Sequence, residues 1–500
     1  MTERATGTGE PAAISGIEVM RGVGAVRAKG FWADAWERVL RRPGAVAGLV
    51  WISVVGFFAV FAPLIANAHP LRVERAGADG QTIVEWPLLA HLTPSDWTLL
   101  ALALLGLPWV FFGPRSLSRA QRLGMLVVGG LQAGFIVVIA PALVEWARDG
   151  ARTEWLRVFA RGEAGPWAIG GAVALAISAA AAWIPTVDSL RARLASALLV
   201  GAGAAAIAAS TGGASLVNFE KYIEQEQAGA RVTWTLIPWS PQYARSDMSN
   251  IAPGSTVAEV ERLRQYQGTA FGARRTLLGT DALGGDVLAQ MLWACRLSIS
   301  IGLVSTGIAV LIGVTVGAVM GYFGGWVDLV LFRIVEVFMA VPVLFLLIVA
   351  AGVLPRDTYV MMAIIGCFSW TGAARFTRAE FLKLRNQDFV QAAKATGLPL
   401  RAILFRHMLP NGVTPVLVDA SFAIAAAISI EATLSYLGLG PDGQASWGKL
   451  LSSATAATGT FVWWLAVFPG LAIFLSVLSY NLLGEAMRDA IDPKLRKAAH

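Results

Sequence analysis

Ten long apolar runs dominate the sequence and leave few folds open to it. They lie near residues 45–68, 97–113, 123–146, 166–185, 193–217, 297–320, 330–354, 358–376, 412–438 and 460–484. Each reaches the roughly 17 residues that an α-helix needs to cross the hydrocarbon of a bilayer. Lipid offers no partner for backbone N–H and C=O groups, so these runs are expected to cross as helices. A β-barrel would need alternating segments of about ten residues, and these runs are longer and continuously apolar. Composition agrees: 56% of the 500 residues are hydrophobic and 15% are charged, where a soluble domain carries about 25% charged residues.

The remaining composition excludes more than it assigns. The net charge is +7 and the pI about 9.6. Lys and Arg held in cytoplasmic loops explain that balance. No basic run with interleaved aromatics lies outside the loops, so nucleic acid is not an expected partner. Cys295 and Cys367 fall at or inside apolar runs, and His69, His91, His407 and His500 are scattered. Neither set has metal-ligand spacing, so no metal site is expected. About forty mixed polar residues precede the first run, too many for the charged region of a cleavable signal.

Basic residues orient the chain. Lys29, Arg38, Arg41 and Arg42 place the N-terminal flank inside. Arg115, Arg119 and Arg122 follow the second run, and Arg191 and Arg193 follow the fourth. The loop 377–411 holds Arg378, Lys383, Arg385, Lys394, Arg401 and Arg406, and the tail holds Arg488, Lys494, Arg496 and Lys497. All of these fall inside under one alternation. The loop 147–165 falls outside and runs against the count, with Arg148, Arg152, Arg157 and Arg161. The expected organisation is a cytoplasmic segment 1–44, a first helix 45–69 and an external segment 70–96. An inserted four-helix segment 97–217 and an external loop 218–296 follow. A membrane core 297–486 carries the cytoplasmic loop 377–411, and a cytoplasmic tail 487–500 ends the chain. Trp234, Trp239 and Tyr243, and Trp463 and Trp464, read as membrane-interface aromatics or as ordinary packing. Gly, Ala and Ser near 172–182 and 201–215 suit close helix packing in lipid.

The loop 377–411 carries the best local signal. Residues 387–396 favour helix through Ala392, Ala393 and Ala395. Gly397 suits the left-handed position that ends a helix. Leu398 precedes a proline and is pushed out of the helical region. Pro399 suits the first turn of a second piece, 400–408, and Pro410 would end or kink it. The pattern is two short helices at an angle. A small-residue face, Ala392 and Ala393, could sit in a partner's groove, or the pair could lie on the membrane as an amphipathic hairpin.

At this point the sequence resembles a known family. Gln391-Ala-Ala-x-x-x-Gly397 followed by Leu409-Pro410 is similar to the "EAA" loop of ABC importer permeases. Arg406-His-Met-Leu-Pro-Asn411 looks like the form found in dipeptide and oligopeptide permeases. Other family-like strings occur in the family's order. They are Leu278-Gly-Thr-Asp281 with Asp286, Arg296-Leu-Ser298, Gly321-Tyr-Phe-Gly-Gly-Trp-Val-Asp328, Ala373-Ala-Arg375, Glu431 to Gly440, and Ser446-Trp-Gly448. Residues 41–73 and Trp234 to Tyr243 resemble the longer, microcin- and oligopeptide-type variety. There the two pieces are joined by a soluble loop, where this chain has 97–217. Gln391 stands where the family has an acid, Gly285 and Gln290 where it has arginines, and Glu336 replaces an acid of the other length.

The resemblance implies an all-α polytopic membrane protein of about ten spans: a type I ABC importer permease core with about four inserted helices. It implies a transport subunit and not an enzyme, consistent with the lack of a Gly-x-x-x-x-Gly-Lys-Ser/Thr phosphate loop. No cofactor would be bound by this chain; ATP and Mg would be used by two partner ATPase subunits. A second, different permease subunit, an external solute-binding protein and membrane lipid complete the expected partners. Gln391, Ala392, Ala393, Gly397, Arg406, His407, Leu409 and Pro410 would couple the core to the ATPases. Asp281 and Asp286 would serve an external motif as caps or docking residues. The cargo would be dipeptides, longer peptides, a peptide-like antibiotic or nickel chelates, with no binding residues assigned. The rival readings are a secondary transporter, for which Glu336 and Glu431 would be the intramembrane acids, and a non-transporting membrane scaffold.

Overall fold

The computed structural model describes residues 31–491 except 77–80, 115, 151–152, 163, 185, 187–188, 211–218, 268–270 and 456–460. Outside these lie Lys29, Arg115, Arg152, residues 211–215 of the second small-residue segment, and the tail with Lys494, Arg496, Lys497 and His500. Eight described helices are long and apolar enough to cross a membrane, and two bent pairs bring the number to ten.

Helix α1 (Phe31–Leu40) precedes α2 (Pro43–Ile65). Pro43 opens α2, where its missing N–H costs nothing. After α2, β1 (Arg72–Ala76) pairs antiparallel with β2 (Thr82–Glu85). The inserted spans follow: α3 (Pro94–Phe112), α4 (Arg119–Glu145), the short α5 (Glu154–Arg161), α6 (Ala164–Ala182) and α7 (Leu190–Ser210). The chain then returns through α8 (Phe219–Gln227) and β3 (Arg231–Thr233), which pairs with β1. This three-stranded sheet, order β2-β1-β3, was not expected from the sequence. It pins the two ends of the insertion together. Ile237 donates to Ile65 O at 2.9 Å and Leu71 to Thr233 O at 2.8 Å, so the excursion starts and ends at one place.

Inside the insertion a buried polar knot sets the packing. Gln132 of α4 donates to Ser178 Oγ of α6 at 2.8 Å and to Ala197 O of α7 at 2.6 Å. Ser178 also donates to Ala197 O at 3.0 Å. Such bonds lock helices where lipid gives no hydrophobic drive. The insertion meets the core through α3, where Asp96 pairs with Arg296.

The core begins with α9 (Val287–Phe323), 37 residues long. It starts ten residues before the expected span, because Asp286 caps it and accepts from Ala289 N at 2.8 Å. Then come α10 (Gly325–Ala340) and α11 (Val343–Val353), which meet at 79° instead of forming one straight span. Pro342 lacks an N–H, and Val341 before it is extended at φ −96°, ψ 129°. α12 (Thr358–Phe368) and α13 (Thr371–Leu384) meet at 42°. The loop expected from 377 is therefore helical up to Leu384. The elbow helices α14 (Asp388–Ala395) and α15 (residues 400–412) lead into α16 (Thr414–Tyr436). A short α17 (Trp447–Ser453) precedes the last span, α18 (Trp463–Ile491).

The aromatic reading divides. Trp239 is 3% exposed, and Trp234, Trp239 and Tyr243 pack around Phe219, with ring centroids at 5.2, 5.7 and 4.6 Å. They form the core of the segment 219–286 and not a membrane belt. The Arg274 guanidinium lies 4.0 Å above the Trp234 ring. Burial there lowers its pKa to about 10, against the pull of Glu226. Trp464 donates to Thr280 O at 3.0 Å, while Trp463 stays exposed.

Candidate functional site

The elbow stands on a glycine-lined seam. Gly313, Gly317 and Gly321 recur every fourth residue on α9 and face α13. A Cβ at Gly317 would press on Ala374 O and lie 2.7 Å from Thr377 Cβ, and one at Gly321 would lie 2.5 Å from Phe381 Cβ. The two backbones are thus in near contact, a small-xxx-small crossing. The spacing is plain in the sequence, but an internal glycine reads first as a weak helix former. At the same end, Arg378 forks onto Asp328 of α10, with Nη2 to Oδ2 at 2.7 Å, and covers Phe332.

The first elbow helix ends as its residues dictate. Gly397 has φ +70°. Leu398 N–H donates to Ala393 O at 3.2 Å and Gly397 N–H to Lys394 O at 3.0 Å, the two bonds of a Schellman motif. Pro399 is the N-cap of the second piece instead of lying in its first turn. Residues Ile403–Met408 form a wide π turn, directly before Pro410, which has no N–H to give Arg406 O. Pro410 then opens the short turn Leu409–Gly412, so the piece continues into α16 with a change of pitch and not a stop.

The expected coupling residues separate into two layers. Ala393 is buried with Val390, Ile403, Leu404 and Met408 against Phe381 and Leu384 of α13, with Leu409 packed alongside. Only Ala392 of the alanine pair is on the surface, where a two-alanine face was expected. Gln391, Ala392, Gly397, Arg406 and Pro410 are exposed, and His407 is half-buried. Gln391 Nε2 donates to Arg385 O at 2.9 Å, which ties α14 to the end of α13. Lys394 lies 5.1 Å over the Tyr322 ring of α9. Phe389, Leu398, Leu400 and Phe405 are exposed around the rim. The elbow therefore rests its inner layer on the α9–α13 lever and turns an apolar rim outward.

At the other end, Asp281 and Asp286 both cap. Asp281 Oδ1 accepts from Leu283 N and Gly285 N at 2.9 Å, and its Oδ2 from Gln290 Nε2 at 2.6 Å. Gln290, a departure from the resembled family's arginine, thus holds a turn. Asp286 is 2% exposed. Burial raises its carboxyl to about 7, while the helix N–H groups pull it down.

The intramembrane acids are engaged locally. Glu431 Oε1 accepts from Ser435 and Ser446, both at 2.7 Å, which fastens α16 to α17. Glu336 pairs with Arg333 at 2.6 Å on α10. Among the described residues no group of three or more His, Cys, Asp or Glu is placed to hold a metal ion.

A predominantly helical, multiply spanning chain with this elbow is an all-α polytopic membrane protein with a type I ABC importer permease core and an inserted helical unit. Residues 313–497 match the family described as binding-protein-dependent transport system inner membrane component. Residues 30–79 match the N-terminal transmembrane domain of oligopeptide transport permease C. A peptidoglycan transport system permease protein of Agrobacterium fabrum is 37% identical over 283 residues, 55% of this chain and 74% of that one. An oligopeptide transport system permease of Haemophilus influenzae is 36% identical over 219 residues, 44% of this chain and 70% of that one. A glutathione transport system permease of Pectobacterium atrosepticum is 36% identical over 220 residues, 44% and 73%. The chain belongs to the binding-protein-dependent inner membrane component family: it is a multi-pass inner-membrane permease subunit of an ABC importer, which works with ATPase and binding-protein partners.

Proposed function

We propose that this permease moves peptides or peptide-like solutes into the bacterial cytoplasm, driven by ATP hydrolysis in two partner ATPase subunits that use ATP and Mg. The chain itself binds no nucleotide. The observation that carries the reading is the two-layered elbow 388–412, shaped by its Schellman turn and seated by its buried layer on the α9–α13 lever. Its exposed layer, Gln391, Ala392, Gly397, Arg406 and Pro410 with the apolar rim, docks into the ATPase. Its inner layer, Ala393 and Leu409 with half-buried His407, passes the movement to the spans as a rigid-body switch. Gln391 gives no charge to that contact, where the family's acid would. The names of the relatives, which carry oligopeptide, glutathione and peptidoglycan cargo, support the peptide class.

In this reading the N-terminus, the elbow and the C-terminus are cytoplasmic. The segment 219–286, held by Asp281 and Asp286, faces the solute-binding protein. A second, different permease subunit covers α10 and α11. These two helices bury only Val335, Leu347 and Ala351 within the chain, which supports such a cover.

The test is crosslinking from a cysteine at Lys394 in the assembled importer, alongside peptide uptake into proteoliposomes. Capture of the ATPase with ATP-driven uptake is expected. Labelling of that cysteine from the external face, or peptide uptake that persists without any ATPase, would overturn the reading in favour of a secondary carrier.

A further inference from the structure

One face of α10 is left uncovered by the rest of the described chain. Trp326, Leu329, Val330, Arg333, Glu336 and Val337 recur at helical spacing along it. Trp326 is 78% exposed and Val337 64%, whereas Val335 on the opposite side is fully buried. The Arg333 and Glu336 side chains are 74% and 42% exposed. At 1.5 Å per residue they stand about 12 and 16 Å along the helix from Gly325. That places both in the second half of a predominantly apolar 16-residue helix, and the two methylenes of Glu336 give its carboxylate little reach.

An exposed ion pair within an apolar helix of a membrane core does not face hydrocarbon. Ionisable side chains within spans turn to a protein interior or a water-filled path. A third charge joins them. Arg375 of α13 is about 14 Å from the end of its helix at Leu384, so it stands at a similar level. It is exposed, its Nη1 lies 3.9 Å from Met339 Sδ, and it makes no ion pair among the described residues. Met339 is one turn beyond Glu336 on α10. The surface therefore holds two guanidinium groups and one carboxylate, with one positive charge unbalanced.

We propose that this face lines the solute path between this chain and the second permease subunit that covers it, and that Arg333, Glu336 and Arg375 form a binding site for zwitterionic peptides. Glu336 takes the ammonium group and the arginines take the terminal carboxylate, whose two oxygens match the guanidinium fork. The Arg333–Glu336 pair closes on itself when the path is empty and opens when the solute supplies both opposite charges. The excess positive charge makes the free carboxylate the required group. This inference rests on the peptide-importer reading above.

The test uses the assembled importer in proteoliposomes, with Cys295→Ala and Cys367→Ser as background. In Val337→Cys, a charged, water-soluble thiol reagent is expected to label the introduced thiol, and excess tripeptide to slow that labelling. Wild type is expected to take up a tripeptide with free termini at least about tenfold faster than its C-terminal amide, the worth of one charge-assisted contact. Arg375→Gln is expected to bring that ratio close to one while ATP hydrolysis continues. The binding protein is the same in every arm, so a change in the ratio belongs to the permease. Labelling of the Val337→Cys thiol by lipid-soluble reagents alone, or an unchanged ratio in both Arg375→Gln and the double variant Arg333→Gln/Glu336→Gln, overturns the proposal. Failure of the peptide reading itself looks different: wild type then moves neither peptide, although the thiol of Val337→Cys stays open to the water-soluble reagent.

Discussion

Replacing Asp96 with asparagine removes one charge from the seam where the inserted helices meet the core. Asp96 is 2% exposed and faces the Arg296 guanidinium, which also donates to Ala59 O at 3.0 Å and lies 5.5 Å over the Trp293 ring. Asparagine keeps an acceptor for Thr93 N–H, now at 2.9 Å from Asp96 Oδ2, so the cap of α3 survives, while the charge and the hydrogen bond that Asp96 Oδ1 accepts from Arg296 are lost together. Breaking a buried pair from one side costs about 3–5 kcal/mol. Arg296 keeps two other partners and is 19% exposed at its side chain, so we expect about 2 kcal/mol. Local opening of α3 then rises about 30-fold, read as faster amide exchange across Pro94–Ala101. Arg296→Met alone leaves Asp96 unpaired and is expected to do the same. The double variant Asp96→Asn/Arg296→Met leaves no lone charge and is expected to cost less than the sum of its parts by about 2 kcal/mol. Exchange in the double variant equal to the product of the two single effects would refute a direct charge coupling at this seam.

Three further outcomes follow from the same geometry. Gly317→Ala drives a methyl onto Ala374 O and to 2.7 Å from Thr377 Cβ; forcing α9 from α13 is expected to destabilise by roughly 1–3 kcal/mol, seen as a lower melting temperature in detergent. Gly397→Val meets open space but must hold φ +70°, at a cost of about 1–2 kcal/mol; helicity by circular dichroism is expected to stay, while ATPase capture by the elbow falls. His69 stacks 4.2 Å from His91, touches the Tyr222 hydroxyl at 3.3 Å, and is held down to about 4, first by burial and then by the His91 charge. Its folded pKa is below the unfolded 6.5, so the unfolded chain binds more protons between those values. Stability is full above pH 6.5 and is lost as pH falls toward 4; His69→Gln is expected to flatten that slope in pH-dependent melting.

Much of this architecture could be read from residues in order. The apolar runs located the helices long and apolar enough to cross a membrane, and Gly397 marked the turn of the elbow, because left-handed backbone is a local demand that one residue type meets. What escaped was non-local. β1 and β3 are separated by about 150 residues of intervening chain, and neither has the length or alternation that signals a strand. Trp234, Trp239 and Tyr243 look the same in a sequence whether they float at an interface or cluster on Phe219. The start of α9 was placed late because Arg296 reads as the end of a polar loop; its partners, Asp96 and Ala59 O, 200 and 237 residues away, make it tolerable inside a helix. Pro342 was visible, but whether a proline kinks a span or splits it at 79° depends on what packs beside it.

Those non-local contacts also explain how the core accommodates four extra spans. An even number of crossings brings the chain back to the face it left. The β1–β3 ladder and the Ala66–Ile237 bridge then close the gap, so α2 and the segment 219–286 meet as if joined by a short loop. The insertion carries its own lock at Gln132, Ser178 and Ala197. Its charged tie, Asp96 to Arg296, lies on α9 near the end opposite the elbow. That tie therefore stands at the end of the α9–α13 pair farthest from the elbow.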